Sequence, residues 1–120
     1  MTKNEEKFLK YLKKKLFLSR ITIKTKISIS ELCAENNSVC FMFGKDEAII
    51  KNVLIDFVLY KGGKAIAGIE LIDEPEELEM EKGRSILIDS LFRTMGYELF
   101  RVVDLSRLKE AADIIVAKIK

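Results

Sequence analysis

Apolar residues recur along this chain with two different periods. Phe8, Leu9, Leu12 and Leu16 fall three or four residues apart with lysines on the other side, which predicts a helix capped by Thr2 or Asn4 and running to about Phe17. From Arg20 to Ile29 the period drops to two. Ile21, Ile23, Thr25, Ile27 and Ile29 share one side, and Thr22, Lys24, Lys26 and Ser28 the other, predicting a half-buried strand that leads into a short helix capped by Ser30. Glu35 to Lys51 is less regular, with a strand at Val39–Phe43 and a loop around Gly44–Asp46. Val53–Tyr60 and Ala65–Ile72 read as strands joined at Lys61-Gly62-Gly63-Lys64, a hairpin signal. Pro75, the one proline, suits the first turn of a helix from about Glu76 to Met95, and Gly96 suits its end. Glu98–Val103 is a further strand. Asp104 or Ser106 then caps a last helix with the stripe Leu108, Ala112, Ile115, Ile119. Hairpin strands followed by a helical crossover predict an α/β fold with a mixed central sheet flanked by helices. With no internal repeat and no linker, residues 1–120 read as a single domain.

At 120 residues the chain can hide roughly 65% of its unfolded surface, enough for one core. Its 48% hydrophobic and 33% charged residues describe a globular protein. Histidine and tryptophan are both absent. Without imidazole there can be no Ser-His-Asp or Cys-His pair and no His-ligated zinc. Cys33 and Cys40 cannot complete a zinc site between them, so they are read as two reduced thiols. Residues 1–15 carry six lysines and two glutamates rather than an apolar export signal. No stretch approaches the roughly 20 apolar residues that span a bilayer. The expected setting is cytoplasmic, with no membrane partner. The net charge is only +2 but uneven: residues 1–30 hold nine basic and two acidic side chains, and Glu70 to Glu81 hold seven acidic and no basic ones. Such a field can steer an anionic partner toward one end.

The informative residues are Asp56 and Glu70, each inside an otherwise apolar strand. A carboxylate there is costly unless it is paired, hydrogen-bonded or bound to a metal. Register decides whether the two meet, because residues opposite one another across an antiparallel pair share a face. A three-residue Gly62-Gly63-Lys64 loop places Asp56 opposite Glu70, and a Lys61-Gly62-Gly63 loop makes them diagonal neighbours. A two-residue Gly-Gly turn sends them to opposite faces unless a bulge intervenes. The odd loop is the expectation. Two carboxylates sharing a site call for a cation, and oxygen ligands alone suit magnesium or manganese.

The strings Leu54-Ile55-Asp56-Phe57-Val58, Ala67-Gly68-Ile69-Glu70-Leu71 and Gly96-Tyr97-Glu98-Leu99-Phe100-Arg101-Val102-Val103, in that order around a hairpin and a helix, resemble the PD-(D/E)XK nuclease superfamily. They are nearest the branch that resembles very-short-patch-repair endonucleases. The resemblance covers about Lys51 to Val103 and extends weakly to the first helix, where Thr2-Lys3-Asn4-Glu5 precedes Phe8 and Leu12. It implies a restriction-endonuclease-like fold and a magnesium- or manganese-dependent nuclease. Asp56 and Glu70 would be the catalytic, metal-holding acids, and Glu5 a first-helix acid near the metal. Arg84 would contact the scissile phosphate. Lys13, Lys14, Lys51 and Lys82 would meet nucleic acid, DNA being the expected substrate.

The chain departs from the family at one chemical position: where E-x-K has its lysine, this sequence has Ile72. Ile88 and the run Asp73-Glu74-Pro75-Glu76 also stand where relatives carry other polar groups. Lys51, Lys82 or Arg84 are the cations expected to replace the lysine. The other reading is a nuclease fold without catalysis, serving as a nucleic-acid-binding or protein-interaction module. Pairing with a second copy stays open in both.

Overall fold

Thr2 starts the first helix through a reciprocal cap: its hydroxyl accepts from the Glu5 N–H, and the Glu5 carboxylate accepts from the Thr2 N–H, both at 3.1 Å. The structure, a computed structural model, describes residues 1–36, 52–73 and 82–120. Within them run α1 (Lys3–Leu16), β1 (Ile21–Ser28), α2 (Ile29–Glu35), β2 (Leu54–Lys61), β3 (Lys64–Leu71), α3 (Lys82–Met95), β4 (Glu98–Val102), a 3-10 turn (Leu105–Arg107) and α4 (Leu108–Ile119). The expected strand at Val39–Phe43, the loop at Gly44–Asp46, Cys40 and the Pro75 start of the long helix lie outside the described residues. Among those residues, no helix is long and apolar enough to cross a membrane.

The strands form one mixed sheet in the order β1-β2-β3-β4, antiparallel except for the parallel β3–β4 pair that α3 connects. Helices cover both faces, as the alternation of elements predicts. On one side α1 and α4 bury Phe8, Leu12, Leu16, Ala112 and Ile115 against Phe57, Leu59, Ala67 and Ile69. On the other, α2 and α3 bury Ile29, Leu32, Ile88, Leu91 and Phe92 against Ile55, Val58 and Tyr60. Gly68 sets how closely α3 can approach. A Cβ at Gly68 would lie 2.6 Å from the Phe92 ring, so the buried ring occupies the space of the missing side chain.

Two local expectations are corrected. Ser28, not Ser30, caps α2, its hydroxyl accepting from the Glu31 N–H at 3.1 Å. The helix therefore begins at Ile29, whose side chain is fully buried. The hairpin turn has two residues rather than three. Lys61 pairs with Lys64, and Gly62 and Gly63 both take positive φ, +60° and +79°. A β-bulge then corrects the parity: Tyr60 pairs with Ala65 but Leu59 with Ala67, so Ile66 is the extra residue in β3. Beyond it Phe57 faces Ile69, the last pair of the ladder, and Asp56 and Glu70 are the next residues of their strands past that pair.

Candidate functional site

Each of the four strands carries one charged residue at the same level, making a row across the sheet: Lys26, Asp56, Glu70, Arg101. Lys26 is at the position facing Asp56 in the β1–β2 register, and Glu70 pairs with Arg101 in the β3–β4 register. The signs run plus, minus, minus, plus. The row lies where β1, β3 and β4 end and β2 begins, the carboxyl end of the parallel pair, which in open α/β sheets is where ligands bind.

Lys26 is drawn out of the strand pattern by its own backbone. Its φ is +54°, a left-handed conformation uncommon for a residue with a side chain. The flanking pairs Thr25–Phe57 and Ile27–Ile55 keep one register, so no residue is inserted, yet Ile23 and Phe57 pack with the α1 and α4 core while Ile27 and Ile55 pack with the α2 and α3 core. The Lys26 ammonium lies 2.8 Å from Asp56 Oδ1 and forms a second ion pair with Glu5 in the first turn of α1. Burial works against the Lys26 charge, but hydrogen bonds to Asp56 and Glu5 outweigh it and raise the amine above the ordinary lysine value. Glu5 is 7% exposed. Burial pushes its carboxyl up, yet Lys26 and the Thr2 hydrogen bonds together hold it below the usual glutamate value. One residue thus caps a helix and anchors the site.

The other carboxylate oxygen of Asp56 accepts the Leu71 N–H at 2.8 Å. Phe57–Ile69 is the last pair of the β2–β3 ladder, and beyond it the Asp56 side chain takes a main-chain donor of β3. This ties the aspartate to the strand that carries Glu70.

Glu70 has a cation of its own. Arg101 Nε donates to Glu70 Oε2 at 3.0 Å, while its Nη1 donates to Asp89 of α3 at 2.7 Å and its Nη2 to the Ser85 carbonyl at 3.4 Å. Burial nevertheless dominates and pushes the Glu70 carboxyl above its ordinary value. Arg101 pulls the other way, the Asp56 charge adds to the rise, and Arg84 opposes it. Asp56 and Glu70 therefore feel one another, and Arg84 stands within electrostatic reach of Glu70.

Of the residues singled out from sequence, Glu5, Asp56, Glu70 and Arg84 come together at this end of the sheet. Lys13 and Lys14 do not. They are exposed in the last turn of α1, roughly 12 Å along the helix axis from Glu5. Lys51 and the side chain of Lys82 lie outside the described residues. Among the described residues no group of three acidic or thiol side chains is placed to hold a metal. The sequence reading missed Lys26 and Arg101, the two cations that answer the acids. Each is the charged residue of its strand at the level of an acid, a signal usable only once the strand register is known. Comparison with family models, with curated proteins and with solved structures gave no match.

Proposed function

We propose that this chain is a restriction-endonuclease-like domain of the PD-(D/E)XK type that hydrolyses phosphodiester bonds, DNA being the substrate, with magnesium or manganese. The observation that carries the reading is the Lys26 ammonium 2.8 Å from Asp56. The motif's lysine position is Ile72, and Lys26 brings an ammonium to the aspartate from the opposite strand instead. Asp56 and Glu70 would hold the ion. Two carboxylates suit magnesium, which keeps several waters and completes its shell with substrate phosphate. The destabilised charge of Glu70 beside Asp56 also favours an added cation. When bound, such an ion polarises a phosphoryl oxygen and lowers the pKa of a coordinated water.

The chain's own groups then have separate tasks. Lys26, its pKa raised, stays protonated at neutral pH, so it orients and neutralises charge near the reacting phosphate and does not abstract a proton. Arg84 and Arg101 supply positive charge on the Glu70 side. Glu5 is a positioning residue, fixing Lys26 against α1. The exposed Lys13 and Lys14 can follow a phosphate backbone by counterion release. The test is nicking of supercoiled plasmid in manganese. Asp56→Ala should lower the rate by roughly a hundredfold or more, and Lys26→Met should lower it while leaving metal-ion titration at Asp56 detectable.

A second reading rests on the neutrality of the row. Lys26 balances Asp56, and Arg101 balances Glu70, so the fold satisfies these half-buried acids without an ion. This suits a domain that keeps the nuclease architecture and binds nucleic acid or protein without cleaving. Salt-sensitive DNA binding with no nicking in either metal would select it.

A further inference from the structure

The two edges of the sheet are finished differently. At β1, Lys24 is exposed, Lys26 interrupts the extended backbone, and the chain turns at once into α2. These are devices that discourage another strand from adding. β4 has an exposed charge at Glu98 but neither of the other two. All five of its residues, Glu98 to Val102, pair in unbroken register with Ala67 to Leu71 of β3. It contains no proline, lysine or bulge, and among the described residues no strand pairs with its outer side. Between this edge and α4 runs a groove of about 450 Å³ lined by Phe100, Val102, Val103, Arg107, Ala111 and Ile114. Val103 is 51% and Ile114 59% exposed. Large apolar residues are therefore open to solvent beside an unpaired main-chain edge.

The charges around that surface point to its occupant. Glu110, Ile114 and Lys118 are all exposed at successive i+4 positions of α4, one line along its outer face. We propose that this face binds a second copy of the chain about a twofold axis perpendicular to the sheet. That axis runs β4 antiparallel to β4 of the other copy and continues the sheet from one molecule to the next. It also reverses α4 against its counterpart. Ile114 packs on Ile114, and Glu110 of each copy meets Lys118 of the other. An interface of this kind must be complementary to itself, and an acid, an apolar residue and a base at equal spacing satisfy that condition. The groove rim adds Arg107 and Asp104, again one of each sign. Arg101 of the charged row lies in β4 and lines this groove, but the α4 residues that carry the test, Glu110, Ile114 and Lys118, take no part in that row, so they probe the dimer apart from the reading as a nuclease.

Sedimentation across a concentration series tests it. The wild-type chain should sediment as a dimer, and Ile114→Lys as a monomer with unchanged far-UV circular dichroism. Glu110→Lys alone and Lys118→Glu alone should each weaken the dimer, and the double variant Glu110→Lys/Lys118→Glu should restore it, because the swapped charges meet again across the axis. A wild-type chain that is monomeric at millimolar concentration overturns the proposal. So does a dimer indifferent to Ile114→Lys, or one the double exchange fails to restore.

Discussion

Glu70 and Arg101 are register partners in neighbouring parallel strands, and the guanidinium that holds the glutamate also reaches Asp89 and the Ser85 carbonyl of α3. A side chain of the sheet thus pins the helix above it while compensating the acid beside it. Removing the cation leaves a largely desolvated carboxylate facing the Asp56 charge. Arg101→Met should destabilise the fold by about 3 kcal/mol in urea unfolding, and Arg101→Met/Glu70→Leu should recover most of that, because paired removal deletes the stranded charge.

Lys26 lends itself to the same treatment with a smaller effect. Its side chain is 40% exposed, so water shares in screening Glu5 and Asp56. Lys26→Met is expected to cost about 2 kcal/mol, less than a fully buried pair, read from the urea midpoint at neutral pH. Lys26→Gly relieves the left-handed backbone but loses both ion pairs. It should fall between wild type and Lys26→Met.

The two glutamates give stability opposite dependences on pH. Glu70 is raised above its ordinary value of 4.5, so its protonation favours the folded state: that contribution is present below 4.5 and lost as pH rises through the higher folded value. Glu5 is lowered from 4.5, so its contribution is present above that value and lost as pH falls through the folded pKa. The melting temperature should rise as pH drops from neutral toward 4.5 and then fall. Glu70→Gln should remove the rise and leave the fall, and a rise that survives this substitution would contradict the assignment.

Gly68 tests the packing of α3. Gly68→Ala brings a methyl to 2.6 Å from a ring that is 1% exposed, and should cost about 1–3 kcal/mol. Phe92→Leu on its own opens space and also destabilises. The double variant should be less damaged than the sum of the two, since the added methyl fills part of the gap.

At the turn, Gly62 sits at φ +60°, a value asparagine tolerates and valine does not. Gly62→Asn should leave the thermal midpoint within error of wild type. Gly62→Val should lower stability by about 1–2 kcal/mol.

Elements with a strong period were legible from sequence: α1 through Phe8, Leu12 and Leu16, α4 through Leu108, Ala112 and Ile115, and the hairpin through Gly62 and Gly63. The cap at Ser28 was not, because strand alternation runs into the helix without a break and buried Ile29 fits both patterns. The turn length was misjudged since either parity brings two glycines to the bend, and the extra residue at Ile66 follows from packing between layers. Asp56 and Glu70 stood out because a carboxylate in an apolar strand is conspicuous. Lys26 and Arg101 did not, because long cationic side chains can run out to solvent from such positions at little cost. Their pairing with the acids belongs to strand neighbours far apart in sequence.

The bulge at Ile66 makes the hairpin a counting device. A tight two-residue bend and the facing of Phe57 with Ile69 are incompatible by parity, and one surplus residue reconciles them. Lengthening or shortening this surface loop by one position, a change most loops absorb unnoticed, would rotate β3 by half a turn relative to β2 and carry Ile69 out of the core it shares with Phe57. The spacing of the bend is therefore under the same constraint as the core it serves, although it stands at the opposite end of the strands.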